Sequence, residues 1–296
     1  MANADPTADW LTIGSAGLSA RINPRGAELS SLTDAAGREL MTDADPAFWT
    51  GRAPILFPIV GEANGGVIRV DGRAYPIARH GFARTSMFTV AEHGSDHAVL
   101  RLTDSETTRA AWPFAFVLEI RFEIVATTVT VIARIGNPGS EPMPASFGFH
   151  PAFAWPLPDA GAREDHRIVF DRPEPAALRQ LTGAGLIAPE SRPSPVVGDT
   201  LALADALFTA DALIWDELAS DSVSYGTDHG PRLRVAFPDT TRLGVWTKPG
   251  SRFVCIEPWH GIADPVGFAD DFADKPGVFV VAPGGEKKIE MSITLL

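Results

Sequence analysis

From Phe116 onward a bulky apolar series of Phe116, Leu118, Ile120, Phe122 and Ile124 interleaves with Val117, Glu119, Arg121 and Glu123. A period of two marks a strand with one buried face, and a helix cannot gather such a series onto one side. The pattern resumes after Ala126-Thr127 through Val129, Val131 and Ala133 and stops at Asn137-Pro138-Gly139. Residues 116–136 therefore read as an antiparallel hairpin. The same alternation recurs at Ile289, Met291, Ile293 and Leu295, and at Leu233, Val235 and Phe237, leading through Pro238-Asp239 to Leu243 and Val245. Helical signals are few. The Ala/Leu-rich stretch from Asp199 to Leu207 has Asp199 or Thr200 as a candidate N-cap, and Thr107 to Ala111 has room for one turn. Strands do not alternate with helices, which argues against a parallel α/β fold. The 27 glycines and 25 prolines punctuate many short elements. The expected class is all-β, with few short helices.

A chain of 296 residues allows one large domain or two. The segment from Pro156 to Pro195 is rich in Pro, Gly and charge, but strand-like sequence on both sides makes it an elaborated loop region rather than a linker. The expectation is a single domain over residues 1–296, with about residues 1–10 as a flexible N-terminal tail. Twenty-five basic against 37 acidic residues give a net charge of −12. That balance repels the phosphate backbone of nucleic acids and an anionic bilayer, so neither is an expected partner. The single cysteine, Cys255, has no intrachain disulfide partner and reads as a small buried hydrophobe. The N-terminus has acids and a proline where a signal peptide needs basic residues and then an apolar run. No stretch reaches the ~18 consecutive apolar residues of a spanning helix. The reading is a cytoplasmic protein, a monomer or weak homodimer.

The histidines separate by their neighbours. His93 and His97 flank Gly94-Ser95-Asp96, while His166 and His229 sit beside Asp165 and Asp228, so all four read as solvated loop residues. His150 closes Ser146-Phe147-Gly148-Phe149-His150-Pro151, where alternation puts Ser146, Gly148 and His150 on one face. Gly148 beside a polar side chain is a place where a ligand can approach the backbone, and Pro151 biases His150 to an extended conformation. The competing reading is a hydrogen-bonded histidine at a strand end. His80, in Arg79-His80-Gly81-Phe82-Ala83-Arg84, is either a site residue or part of a surface turn. Glu257 closes Phe253-Val254-Cys255-Ile256-Glu257-Pro258-Trp259 and shares a face with Phe253 and Cys255. A carboxylate in an apolar strand is costly unless paired or functional, and desolvation raises its pKa towards the range of a general base. The alternative is a pairing with an arginine. No His-Glu-x-x-His cluster, Gly-x-Ser-x-Gly elbow or phosphate loop occurs, so no metal and no cofactor are expected. One carboxylate, two histidines and aromatic residues on a β scaffold suit acid–base work on a neutral polyol.

Five segments in series are Arg25-Gly26-Ala27-Glu28-Leu29, Arg52 in Trp49-Thr50-Gly51-Arg52-Ala53-Pro54, His80-Gly81-Phe82-Ala83-Arg84, Phe147-Gly148-Phe149-His150-Pro151, and Cys255-Ile256-Glu257-Pro258-Trp259. Over residues 20–296 the chain resembles the aldose 1-epimerase (galactose mutarotase-like) family, in its LacX-like branch. The resemblance implies a large antiparallel β-sandwich, the supersandwich, with a sugar bound across one sheet. It further implies Glu257 as catalytic base, His150 as general acid, His80 as a second active-site histidine, and Arg52 and Asp211 as sugar-binding residues. Trp246 and Trp259 are candidates for stacking on the sugar ring. The expected reaction interconverts the α and β anomers of a hexose. In it an ionised Glu257 takes the C1 hydroxyl proton while a charged His150 protonates the ring oxygen. Phe82 stands where galactose mutarotases have a second glycine, and it is expected to narrow the groove. Two alternatives remain at this stage: a sugar-phosphate mutarotase using arginines among Arg52, Arg73, Arg79 and Arg84, or a non-catalytic carbohydrate-binding protein.

Overall fold

The computed structural model describes residues 10–296. The expected N-terminal tail lies outside the described residues except for Trp10, whose indole receives the guanidinium groups of Arg21 and Arg52 at 5.0 and 5.7 Å. Among the described residues the two largest sheets have nine and eight strands. Every strand pairing in both is antiparallel.

The hairpin forms as its alternation requires. Strands Val117–Val125 and Thr128–Gly136 pair with Val125 opposite Thr128, and the C-terminal strand Glu286–Leu295 adds to the second of them. Leu118, Ile120, Phe122, Val129, Val131, Ile289, Met291 and Ile293 all turn into the core. Full burial of one such Leu, Ile, Val or Phe side chain contributes about 1.5–3 kcal/mol, so this three-strand unit anchors the nine-stranded sheet.

The third alternating segment divides between layers. Arg232–Ala236 belongs to the nine-stranded sheet and Arg242–Trp246 to the eight-stranded one, so the turn at Pro238-Asp239 carries the chain across the sandwich. The segment from Pro156 to Pro195 supplies strands to both layers: Arg167–Phe170 to the larger sheet, Leu178–Leu181 and Ile187–Arg192 to the smaller. No helix forms over residues 199–207. Thr200–Ala202 is a strand and Asp205–Phe208 a 3-10 turn, because Leu201 and Leu203 point into the core at strand spacing. Glu106–Ala111 is an α-helix, capped by Ser105, which accepts from the Thr108 backbone N–H while Thr108 reaches back to Ser105.

The middle of the eight-stranded sheet is Phe253–His260, flanked by Arg242–Trp246 on one edge and by Phe147–Phe149 and Ala152–Ala154 on the other. It is buried on both faces. Val254 and Ile256 enter the main core, while Phe253, Cys255 and Trp259 pack in two smaller clusters on the opposite face. Glu257 has the parity of this second face.

Two polar groups are buried for structural reasons. His166, expected as a solvated loop residue, is 1% exposed. Its Nε2 accepts the Leu157 N–H at 3.0 Å and its Nδ1 lies 2.9 Å from the Ala162 carbonyl, so it ties a loop corner and is not in solvent. Lys275 Nζ lies 2.7 Å from Asp264 Oδ1, with side chains only 0% and 4% exposed. Asp264 Oδ2 accepts the Asn64 N–H, and its backbone bonds Glu62 and Ile187, so this ion pair locks together three segments behind the cavity described next.

Candidate active site

A cavity of about 710 Å³ opens on the second face of the eight-stranded sheet. Its lining includes Trp49, Arg79, His80, Arg84, His150, Asp211, Trp246, Glu257 and Trp259, drawn from segments far apart in sequence. The size is within the range of pockets that take small molecules.

His150 and Glu257 meet at its floor. Strand parity sends Glu257 up from Phe253–His260, and His150 follows the neighbouring strand Phe147–Phe149, leaving His150 Nε2 3.2 Å from Glu257 Oε2. Glu257 is 2% and His150 8% exposed. Among the described residues Glu257 makes no ion pair with an arginine, and its close partner is a histidine. Burial pushes the Glu257 carboxyl well above the usual carboxylate range; the Asp211 charge adds to this and Arg79 opposes it. Burial pushes His150 down to about 3, with Arg84 and Arg79 acting in the same direction. Both shifts disfavour the charged forms: burial opposes an ionised Glu257 and a protonated His150, against the imidazolium–carboxylate pair that the expected mechanism uses.

His150 is held flat against Trp49, with ring centroids 5.0 Å apart and planes at 29°, and Trp246 closes on both edgewise at 6.1 and 5.5 Å. Trp49 was quoted in the sequence only as part of a motif. Its signal was Gly51, where a Cβ would lie 2.3 Å from the folded-back indole.

His80 is built into a strained turn. Its backbone is left-handed at φ 65°, and Gly81 follows at φ 72°. A Cβ on Gly81 would stand 2.2 Å from the Phe57 carbonyl oxygen, so only glycine lets the chain pass there. The His80 N–H donates to the Gly61 carbonyl at 2.8 Å, and the Gly61 N–H donates back to His80 Nδ1 at 3.0 Å. With Nδ1 accepting, the proton of the neutral ring sits on Nε2. Burial pushes His80 well below the usual histidine range, helped by His150, Arg79 and Arg84. Its ring meets His150 edge to face at 6.0 Å.

Asp211 lines the cavity at φ 72°, its Oδ1 taking the Ala212 N–H at 2.8 Å. Trp246 and Trp259 also line it, as expected of stacking candidates. Three expectations are corrected. Arg52 is outside the cavity lining: its Nη1 donates to the Ser30 and Thr42 carbonyls at 3.1 and 2.9 Å, fixing the backbone that leads to Trp49. Glu28, from the first quoted segment, accepts the Arg52 and Ala53 N–H groups at 2.8 and 3.0 Å and supports the same bend. Phe82 does not narrow the groove, because it packs against Phe57, Trp112 and Phe116. The space above Gly148 is filled by protein: a Cβ there would lie 2.6 Å from Trp259 Cδ1, and one on Gly244 would lie 2.6 Å from Trp259 Cη2. The indole of the central strand thus lies across glycines on both neighbouring strands and forms the cavity floor.

Two other arginines reach the cavity. Arg79 and Arg84 both line the cavity, and neither makes an ion pair among the described residues. Arg79 rests over Gly185, where a Cβ would be 2.9 Å from its Nη2. Arg84 loses part of its hydration and feels the like charge of Arg79, both of which lower its pKa.

A buried carboxylate–imidazole pair beneath an aromatic-walled cavity can donate and accept a proton on one small polyol. The sequence and the fold are also similar to those of known proteins. The chain is 30% identical to the chromosomal protein LacX of Lactococcus lactis subsp. lactis over 290 residues, covering 94% of this chain and 97% of that one. Its fold matches a galactose mutarotase related enzyme from Lactobacillus acidophilus with a TM-score of 0.88 at 30% identity, covering 97% of each chain. A galactose mutarotase-like protein from Lactobacillus casei ATCC 334 matches at 0.90 and 26% identity, covering 97% of this chain and 100% of that one. With the model of the aldose 1-epimerase family matching residues 9–266 as well, the chain belongs to that family of isomerases.

Proposed function

We propose that the protein interconverts the α and β anomers of an aldose and that Glu257 and His150 move both protons. The observation that carries this reading is the 3.2 Å contact between His150 Nε2 and Glu257 Oε2 inside a cavity sized for a small molecule. Ring opening removes a proton from the C1 hydroxyl and adds one to the ring oxygen. A pair that shares one proton supplies both transfers: the partner holding it donates, and the other accepts. After rotation about C1–C2 the same pair runs the closure in reverse, and its protonation is restored. With both charged forms disfavoured, the donor proton is on Glu257. Each such transfer contributes roughly 10²–10⁴ in rate. His80 Nε2–H and Asp211 line the same space as donor and acceptor for ring hydroxyls, and Trp246 and Trp259 offer apolar faces to the sugar ring.

The pH profile follows from the sign of the shifts. The pair works while it holds one proton, which it gains in excess below the lowered His150 value of about 3 and loses above the raised Glu257 value. Activity is therefore expected to show no acid limb at the ordinary histidine value of about 6.5. A kcat/KM that falls by half as pH is lowered through that value would show that His150 titrates as a solvated imidazole and that the shared-proton pair is wrong.

The substrate's far end is addressed by Arg79 and Arg84. Two unpaired guanidinium groups side by side in a cavity favour an anionic substituent, so the sugar-phosphate reading gains ground over a neutral hexose. The overall charge of −12 is a sum over the whole chain and does not by itself oppose this local pair. Polarimetry of freshly dissolved α-glucose, α-galactose and the corresponding 6-phosphates tests both levels. Acceleration of the phosphates at higher kcat/KM supports the anionic substrate. Acceleration of the neutral sugars alone removes that finer assignment, and no acceleration across the panel removes the mutarotase reading itself.

A further inference from the structure

Cys255 has no role in the proton transfers, yet it sits beside the groups that perform them. It is two residues before Glu257 on Phe253–His260, so both side chains leave the same face of the strand. One ligand atom each from Cys255, His150 and Glu257 lie within 4.8 Å of one another, and all three residues are buried. His150 Nδ1 is buried and has no hydrogen-bond partner among the described residues, so the ring has a nitrogen to spare while Nε2 contacts Glu257.

We propose that Cys255, His150 and Glu257 form a three-ligand site for Zn²⁺, and that occupancy switches the enzyme off by seizing the catalytic pair. Sulfur, imidazole nitrogen and carboxylate oxygen are the donors this ion prefers. Zn–S, Zn–N and Zn–O bonds of about 2.3, 2.0 and 2.1 Å around a tetrahedral ion place the donors roughly 3.4–3.6 Å apart. The donor atoms lie within 4.8 Å of one another, so binding would draw them about 1 Å closer together. His150 and Glu257 face the cavity, so the fourth position opens towards bulk water and the substrate.

The charges balance. Before binding, the site holds a thiol, a carboxylic acid and a neutral imidazole. On binding, the thiol and the acid each release a proton to solvent, and thiolate, carboxylate and Zn²⁺ sum to zero. The ion therefore enters a desolvated site without leaving it with net charge. Asp211 nearby favours the cation, whereas Arg79 and Arg84 oppose it. The site stays hidden from sequence spacing because its histidine comes more than one hundred residues before the other two ligands, and only strand pairing unites them.

The test uses the purified full-length protein in a metal-buffered solution. Free Zn²⁺ in the micromolar range is expected to abolish mutarotation, with full recovery on adding EDTA. Cys255→Ser is expected to need at least tenfold more Zn²⁺ for half-inhibition, relative to its own uninhibited rate. A second readout is independent of activity and of that variant's folding. Co²⁺ bound to the wild type should give the intense near-ultraviolet thiolate-to-metal absorption of a cysteine-ligated ion, displaced stoichiometrically by Zn²⁺. The inhibition arm rests on the mutarotase reading, whereas the spectrum does not, so failure of one is distinguishable from failure of the other. Absence of the Co²⁺ band, or equal Zn²⁺ sensitivity of wild type and Cys255→Ser, overturns the site.

Discussion

Replacing Glu257 with Gln is expected to lower kcat by about 10²–10⁴, equivalent to roughly 3–5 kcal/mol of barrier, while the sugar still binds. Glutamine matches the shape of the side chain but has no exchangeable acid proton to share with His150 Nε2, 3.2 Å away in the native pair. It also removes a carboxyl that burial holds in its neutral form, so the variant should fold at least as stably as the parent. Polarimetry at saturating sugar gives kcat, and calorimetric titration with the same sugar gives affinity. Retention of more than a tenth of the parental kcat would transfer the donor role to another group, with His80 the nearest alternative. Loss of sugar affinity with kcat intact would make Glu257 a binding residue.

Lys275→Met should be the most destabilising of the conservative substitutions, at about 3–5 kcal/mol, because it leaves the Asp264 carboxylate buried without its cation. Urea denaturation should show the loss as a lower midpoint. The double variant Lys275→Met with Asp264→Asn is expected to recover part of it, since the amide oxygen can still accept the Asn64 N–H without the burden of a buried charge. The consequence reaches the site, because Ala263 beside Asp264 packs on Gly61, and Gly61 holds both the backbone and Nδ1 of His80. If the single variant unfolds at the parental urea concentration, the ion pair contributes nothing to stability. If the double variant is no better than the single, the penalty lies in lost packing and not in the uncompensated charge.

Much of the fold was legible in the sequence because strand alternation is a local property. The hairpin at residues 116–136, the C-terminal strand and the parity that aims Glu257 at the cavity all follow from which neighbours are apolar. The helix expected at residues 199–207 failed because its Ala/Leu content suits either state, and the core behind Leu201 and Leu203 selected a strand. The position of a candidate was legible where it depends on the residue's own strand, as for Glu257 and His150, which line one cavity. It was illegible where long-range packing decides. Arg52 was turned away by carbonyls of Ser30 and Thr42, a contact that local sequence does not encode. Arg79 and Arg84 reach the cavity only because His80 and Gly81 reverse the chain in left-handed conformations. Phe82 and His166 were misjudged for a shared reason: an aromatic ring beside a glycine, or a histidine beside an aspartate, looks exposed until a distant element covers it.

The indole of Trp259, laid over Gly148 and Gly244, makes three positions on three adjacent strands a single steric unit. No one of them has freedom to vary alone: a larger residue at either glycine collides with the ring, and a smaller one at Trp259 opens a void over two bare backbones. Changes in substrate range are therefore expected to come from substitutions at the cavity's rim. Whereas Ala212 and Trp246 pack in the same cluster as Trp259, the segments around residues 182–185 and 208–210 contribute to the walls. A laboratory search for variants with altered sugar preference would find its productive substitutions there, on a base plate that stays constant beneath them.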